Sequence, residues 1–503
     1  MQTLTKILAT LALLVAMLLD TVNVHAQTAY DLYICGTQVT DTNKGNLKEI
    51  SGVTGTSATY NSDTKTLRLE DASITVSGEV RGILSGIEGL KIEVVGNDTI
   101  NSNGWSAIEL HDSTNILGSG TLIVNNPSND HAAIWTCLGA SLIIENCTLN
   151  VTGGKQGLGS GDNSGTLTIN NATVTAKGTS IGSIHGFSAI TLNGCFISKP
   201  VGAKISGGNV TDAIGNIIKD TVRIIPKYDL WICGTQVTDL NKNDLTTISG
   251  VSGTSVTYIP DTKTLRLINV NITSTVTNCI YSKIEGLKIE VADSNTLNSA
   301  SLPAIKLDSN SSIEGSGTLN IHSGLSDAIY LNNASSLTIR NCTVNANGNK
   351  RGVFGTDGIL NIDNATVTAT GTVTGSITGI SNITGCFISE PVGATFNAEE
   401  KAVCYASGNI VKETVKLIPA YDLWIWGTQV TSANCSNLAP LAGATEGSIT
   451  YDPSTNTLTL DSVNSANKTG DQNMIKSSIE GLKIDVVGEN TLKAHSLHIT
   501  IVR

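Results

Sequence analysis

Side chains able to do acid–base, nucleophilic or metal chemistry are few in this chain and widely dispersed. Beyond residue 26 the histidines are His111, His131, His185, His322, His495 and His498. Acidic residues are scattered: Asp112 in HDST, Asp162 in SGDNSG and Asp357 in GTDGI belong to no cluster. No C-x-x-C occurs, so no zinc or redox motif is suggested. There is no phosphate-binding glycine loop; GSGTL at Gly118 and Gly315 reads as a corner between strands. The sequence therefore assigns no catalytic residue, no metal ligand set and no cofactor. The residues with recognition chemistry are aromatic. Tyr33, Trp231 and Trp424, with Tyr60, Tyr258 and Tyr451, recur at matching places along the chain. Rings of this kind stack on the apolar faces of sugars, which makes these six the candidate carbohydrate-binding residues; the competing role is to cap the end of a stack.

The elements that hold them follow from repetition. YDLYICGTQVT from Tyr30 returns as YDLWICGTQVT from Tyr228 and as YDLWIWGTQVT from Tyr421. IEGLKIEVVG from Ile87, IEGLKIEVAD from Ile284 and IEGLKIDVVG from Ile479 keep the same phase. The boundaries are residues 27–226 and 227–419 for two full units and 420–503 for a third that breaks off two coils in and reads as truncated. Inside the first unit, alternating segments begin at Leu67, Leu90, Ile116, Leu142, Leu167 and Ile190, so they step by 23, 26, 26, 25 and 23 residues. In the second, Leu265, Leu287, Ile313, Leu337, Leu360 and Ser381 step by 22, 26, 24, 23 and 21. Period-two alternation means strands with one buried face. A spacing in the twenties without helical periodicity means one solenoid turn per repeat. The expected fold is all-β: a tandem right-handed parallel β-helix. Leucine-rich repeats would need an L-x-x-L-x-L frame, and propeller blades about 40 residues; a tandem of β-sandwiches is the remaining competitor.

One phase of the repeat supplies the corners. Asn146-Cys147, Asn171-Ala172 and Gly194-Cys195 in the first unit match Asn341-Cys342, Asn364-Ala365 and Gly385-Cys386 in the second. Asn and Gly tolerate the left-handed backbone of a tight bend, and the small residue after each can point into the coil. At about 4.8 Å per coil, Cys147 and Cys195 stand two coils and roughly 10 Å apart, beyond the roughly 7 Å reach of a disulfide. Cys35 and Cys233 correspond to Trp426, an exchange no bridging cysteine permits. Most of the ten cysteines therefore read as small buried hydrophobes. Glu93 and Lys91 share the outward face of their strand, as a solvated surface.

Composition agrees with coils faced by uncharged polar residues. Only 15% of residues are charged, 4% are aromatic, and glycine numbers 50. The net charge of −11 and the lack of basic runs exclude nucleic acid as a partner. Residues 1–26 read as a secretory signal peptide: Lys6, an apolar run from Ile7 to Leu19, and Val24-His25-Ala26 before the cut. No later apolar run is long enough to span a bilayer. The expected product is a secreted or cell-surface monomer.

YDLWICGTQVT, VTYIPDTKTLRL and SITYDPSTNTLTLDSV resemble a repeat of secreted proteins from Bacteroidetes and Firmicutes. Such proteins are similar to bacterial carbohydrate-binding β-helices of the pectate-lyase-like superfamily. The resemblance implies surface display and binding of a polysaccharide or a host or cell-surface glycan, and it transfers no catalytic residue. The polygalacturonase-like strings N-T-D, G-D-D, G-H-G and R-I-K are missing. The leading expectation is a non-catalytic, adhesin-like glycan binder. A polysaccharide lyase or glycoside hydrolase with a groove that no motif marks is one alternative; a passive stalk is the other.

Overall fold

A computed structural model describes residues 27–161, 163–465, 473–492 and 500–501. The signal-peptide reading, Asp162, His495 and His498 fall outside these residues. The chain is a parallel β-solenoid that divides into two compact units, up to Lys227 and from Tyr228 onward. Among the described residues no helix is long and apolar enough to cross a membrane.

In the first unit each coil contributes three strands to three parallel sheets. One coil runs through Leu90–Val95, Asn97–Ser102 and Ile108–Leu110; the next through Thr114–Gly118, Thr121–Asn126 and Ile134–Thr136. Two more coils follow in the same register. Because every strand alternates, inward side chains fall on their counterparts one coil away. Leu67, Ile92, Ile116 and Ile144 form one such column in the first sheet, all essentially without exposure. Ile83, Ile108, Ile134, Leu158 and Ile184 form another in the third. Each such side chain contributes roughly 1.5–3 kcal/mol by burial, so the stack is held mainly by its columns. Neighbouring residues in register differ by 23 (Leu167 to Ile190) to 28 (Thr114 to Leu142) positions. Leu90 and Leu142, which the sequence phase aligns with Ile116, sit two residues away from it in register. A two-residue offset keeps the same face inward, so the burial pattern survives the shift.

The corners between the first and second sheets carry the left-handed backbone that their residue types allow. Asn146, Asn171, Asn341 and Asn364 have φ of 53°, 46°, 55° and 49°, and Gly194 and Gly385 of 64° and 73°. Cys147, Ala172, Cys195, Cys342 and Ala365 point into the coils and are buried; Cys386 is partly covered. Asn364 Nδ2 donates to Asn341 Oδ1 along the axis at 3.0 Å. All ten cysteines are thiols with no disulfide. Burial pushes the Cys147 and Cys386 thiols up to about 12 and Cys342 to about 11, which leaves them protonated and inert.

Each repeat begins with an antiparallel cap. Val53–Asn61 pairs with Thr66–Val76, and Val251–Ile259 with Thr264–Ser274. These hairpins carry Tyr60 and Tyr258 into the core at 4% and 3% exposure, and Tyr451 is likewise buried. Their rings meet Tyr30, Tyr228 and Tyr421 edge-on at 5.1, 4.9 and 5.1 Å. The third repeat has its own core around Leu423, Tyr451, Leu458 and Leu460.

The first corner of each repeat is plugged from inside. Asn295 lies in register with Leu319, at the head of an inward column. Its Oδ1 accepts from Val270 N (3.1 Å) and its Nδ2 donates to the Ala292 carbonyl (2.8 Å). Asn490 makes the same pair of bonds with Val463 N and the Val487 carbonyl. In the first unit the residue is Asp98, fully buried, whose Oδ1 accepts from Ala72 N at 2.7 Å while Oδ2 has no partner. Burial, opposed by backbone N–H groups, pushes its carboxyl up to about 6. A carboxyl raised in the fold stabilises the protein below its unfolded value, and that contribution is lost as pH climbs through the folded one. Two pH units correspond to about 3 kcal/mol. Asp98→Asn should therefore raise the urea midpoint at pH 8 and change it little at pH 4; equal midpoints for the two proteins at pH 8 would refute the account.

Candidate functional site: the outer column of the third sheet

Outward positions of the first two sheets are mostly Thr and Asn, with charges paired across coils, such as Arg68 with Glu93 at 3.1 Å. The third sheet is different. Its strands are only three to five residues long in the first unit's coils, so each coil shows one central side chain outward. In the second unit these are Trp231, Tyr281, Lys306, Tyr330, Phe354 and Thr378, in register one above another. Trp231 stacks on Tyr281 at 5.0 Å and Tyr330 on Phe354 at 5.2 Å. The Lys306 ammonium lies between, 4.8 Å from the Tyr281 ring centre and 6.0 Å from that of Tyr330. Arg351 covers Phe354 at 3.3 Å. These contacts are the coil repeat expressed as ring stacking: a rise of about 4.8 Å per strand matches the separation that aromatic pairs prefer.

Polar groups tie the column down. Tyr281 Oη donates to Asp308 Oδ2 at 2.7 Å, and Asn332 Nδ2 donates to Asp308 Oδ1 at 3.0 Å. Burial, and then Asp308, push the Tyr281 phenol up to about 12, so it stays a donor. Arg351 grips the buried Asp327 with two bonds of 2.6 and 3.1 Å. Since the rings lend their faces to each other, a ligand along this stretch meets ring edges, hydroxyls and ammonium groups.

The first unit builds the same column from other residues: Tyr33, Leu84, Glu109, Trp135, Gly159 and His185. Gly159 matters here. A Cβ on it would come 2.9 Å from Trp135 Cε3, and one on Gly161 3.2 Å from Cζ2, so the indole occupies space that side chains would need. Beside this column runs a second, Arg81, Trp105, His131 and Lys155. Arg81 lies 4.0 Å over the Trp105 ring and His131 stacks on it at 5.1 Å. A cavity of about 230 Å³ lies between the two columns, lined by Trp105, Glu109, Asp130, His131, Trp135 and Lys155 among others. Drug-sized pockets run roughly 300–1,000 Å³; this one is smaller. The Glu109 carboxylate accepts from Arg81 at 2.6 and 3.0 Å and contacts His111 at 2.9 Å. Burial opposes its charge, but Arg81 and His111 outweigh burial and hold the carboxyl below its usual range. That is an ionised, clamped group, unlike the raised-pKa acid of a glycosidase pair.

Of the six aromatic candidates, the structure places Tyr33, Trp231 and Trp424 on this outer column, Trp424 opposite Lys476 with its ammonium 5.1 Å from the ring centre. Tyr60, Tyr258 and Tyr451 are corrected: they are core residues of the caps and offer no open ring face. The structure adds Trp105, Trp135, Tyr281, Lys306, Tyr330 and Phe354. The signal that identifies them is spacing by one coil, as in Tyr281, Lys306 and Tyr330. No family model, curated protein or solved structure matches the chain.

Arg351 and Asp327 are both largely buried, with 13% and 5% of their side chains exposed. Removing one member of such a pair costs about 3–5 kcal/mol because the other charge is left uncompensated. Arg351→Ala should lower stability by that order in urea, and Arg351→Ala with Asp327→Ala should recover much of it. A double variant no more stable than Arg351→Ala would refute the coupling.

Proposed function

We propose that the protein is a non-catalytic, exported, surface-displayed β-helix that binds polysaccharide along the outer column of its third sheet. The observation that carries this is the segregation of aromatic residues. Four of the five tryptophans, Trp105, Trp135, Trp231 and Trp424, lie on that column or beside it, next to cations and amides. Sugar recognition needs these ingredients together: an apolar ring for the C–H face and convergent polar groups for the hydroxyls. The cavity beside Trp135 is the anchor in the first unit; in the second, where the rings stack on one another, the ladder from Trp231 to Phe354 offers ring edges, hydroxyls and the Lys306 ammonium along an extended line. The resemblance of the repeat to secreted carbohydrate-binding β-helices supports the same reading.

Affinity electrophoresis through gels carrying plant, microbial and host polysaccharides tests it. One class of glycan should retard the protein. Trp135→Ala should weaken retention by roughly tenfold, the order of one lost aromatic contact, and Trp231→Ala with Trp424→Ala should weaken it further. Retardation by no glycan, or unchanged retention in these variants, sinks the proposal. Release of reducing or unsaturated ends from the retained glycan would replace it with an enzyme.

A further inference from the structure

Beside the cavity of the first unit, three ligand-type side chains converge. A carboxylate oxygen of Glu109, a ring nitrogen of His111 and the Cys137 sulfur lie within 4.8 Å of one another. Glu109 and His111 flank the end of the strand Ile108–Leu110. Cys137 follows Ile134–Thr136, the strand stacked on it one coil later. Glu109 is buried, Cys137 partly so, and His111 faces solvent, which leaves a route of entry. We propose that Glu109, His111 and Cys137 bind a borderline divalent transition-metal ion, zinc being the natural occupant.

The donor set selects the metal class. One thiolate, one imidazole and one carboxylate suit zinc and its neighbours and are poor for calcium or magnesium, which take oxygen ligands. Three protein ligands leave the fourth tetrahedral position open for water or an incoming group. Zinc bonds of roughly 2.0–2.3 Å set donor atoms roughly 3.3–3.8 Å apart. The Glu109–His111 contact, now 2.9 Å, would open slightly to this spacing, and all three donors already lie within 4.8 Å of one another. Arg81 supplies the supporting layer: its Nε donates to Glu109 Oε2 and its Nη2 to Oε1, the oxygen that His111 also contacts, and it is itself fixed on the Trp105 ring. Ligating carboxylates are ordinarily held by such outer partners. Thiolate and carboxylate together outweigh the one guanidinium, so the site still attracts a dication.

The fold itself does not require these residues. The corresponding positions of the second unit are Lys306, Asp308 and Asn332, which make an ordinary network: Asn332 donates to Asp308, and Lys306 lies 3.6 Å from it. The same coil geometry is thus served by a set that cannot hold zinc, and all three positions differ together. Among the described residues the cluster occurs in the first unit alone.

The test uses the full chain, with reduced thiols and stripped of metal, titrated with Co²⁺ and then Zn²⁺. One Co²⁺ per chain should bind with a sulfur-to-cobalt charge-transfer band in the near ultraviolet, and Zn²⁺ should displace it. Cys137→Ser should abolish the band, and His111→Ala should weaken binding by roughly tenfold or more. His111 is exposed, so its variant reports on binding even if the cysteine variant folds poorly. Absence of the band in the parent protein, or a band of equal strength in Cys137→Ser, overturns the proposal. The titration needs no glycan, so it stands or falls apart from polysaccharide binding.

Discussion

Everything in this protein depends on each coil meeting the next in register. Parallel strands bond along the stack at about 4.8 Å, and a side chain therefore lies against its counterpart one coil away. Ile92 rests on Ile116 and Ile116 on Ile144. The interior accepts only what can be repeated at that spacing, which is why it is a set of aliphatic columns with small residues at the bends. Asp98 shows how narrow the tolerance is: one atom different from its asparagine counterparts, it leaves a buried oxygen without a partner.

The same register organises the exterior, where it is permissive. An outward side chain must only coexist with its neighbours above and below, so a column can be amides, paired charges or aromatic rings. On the third sheet the second unit stacks rings with Lys306 between them, whereas the first has Gly159 at one ring position, where the Trp135 indole fills the space, and a cavity on the side of Trp105 and His131. Two units of one architecture thus carry two different surfaces. Side-chain groupings here draw on residues one coil apart, whether the column Tyr281, Lys306, Tyr330 or the cluster of Glu109 and His111 with Cys137.

Much of the fold was legible because its causes are local. Alternation within LKIEVVG or LTINNATV shows a strand and its buried face, and the Asn before a small residue marks the bend that φ of 46° at Asn171 displays. The register was less legible: Leu90 and Ile92 are equally apolar and share a face, so only stacking distinguishes them. The candidate site was half visible. Trp231 and Trp424 stand in a repeated string, but Tyr281 and Tyr330 sit in three- and five-residue strands too short to show periodicity. Tyr60 and its copies were misplaced because an antiparallel hairpin, which coil spacing does not announce, turns them into the core.

The direction of the backbone hydrogen bonds has a mechanical meaning. In each unit the ladders run along the stack, so tension applied along the stack loads them end-on and not in shear. Coils then detach singly, each releasing a contour of roughly 80 Å for its two dozen residues, and an anchored chain would absorb flow or traction in many small steps while the coils behind the break kept their columns intact.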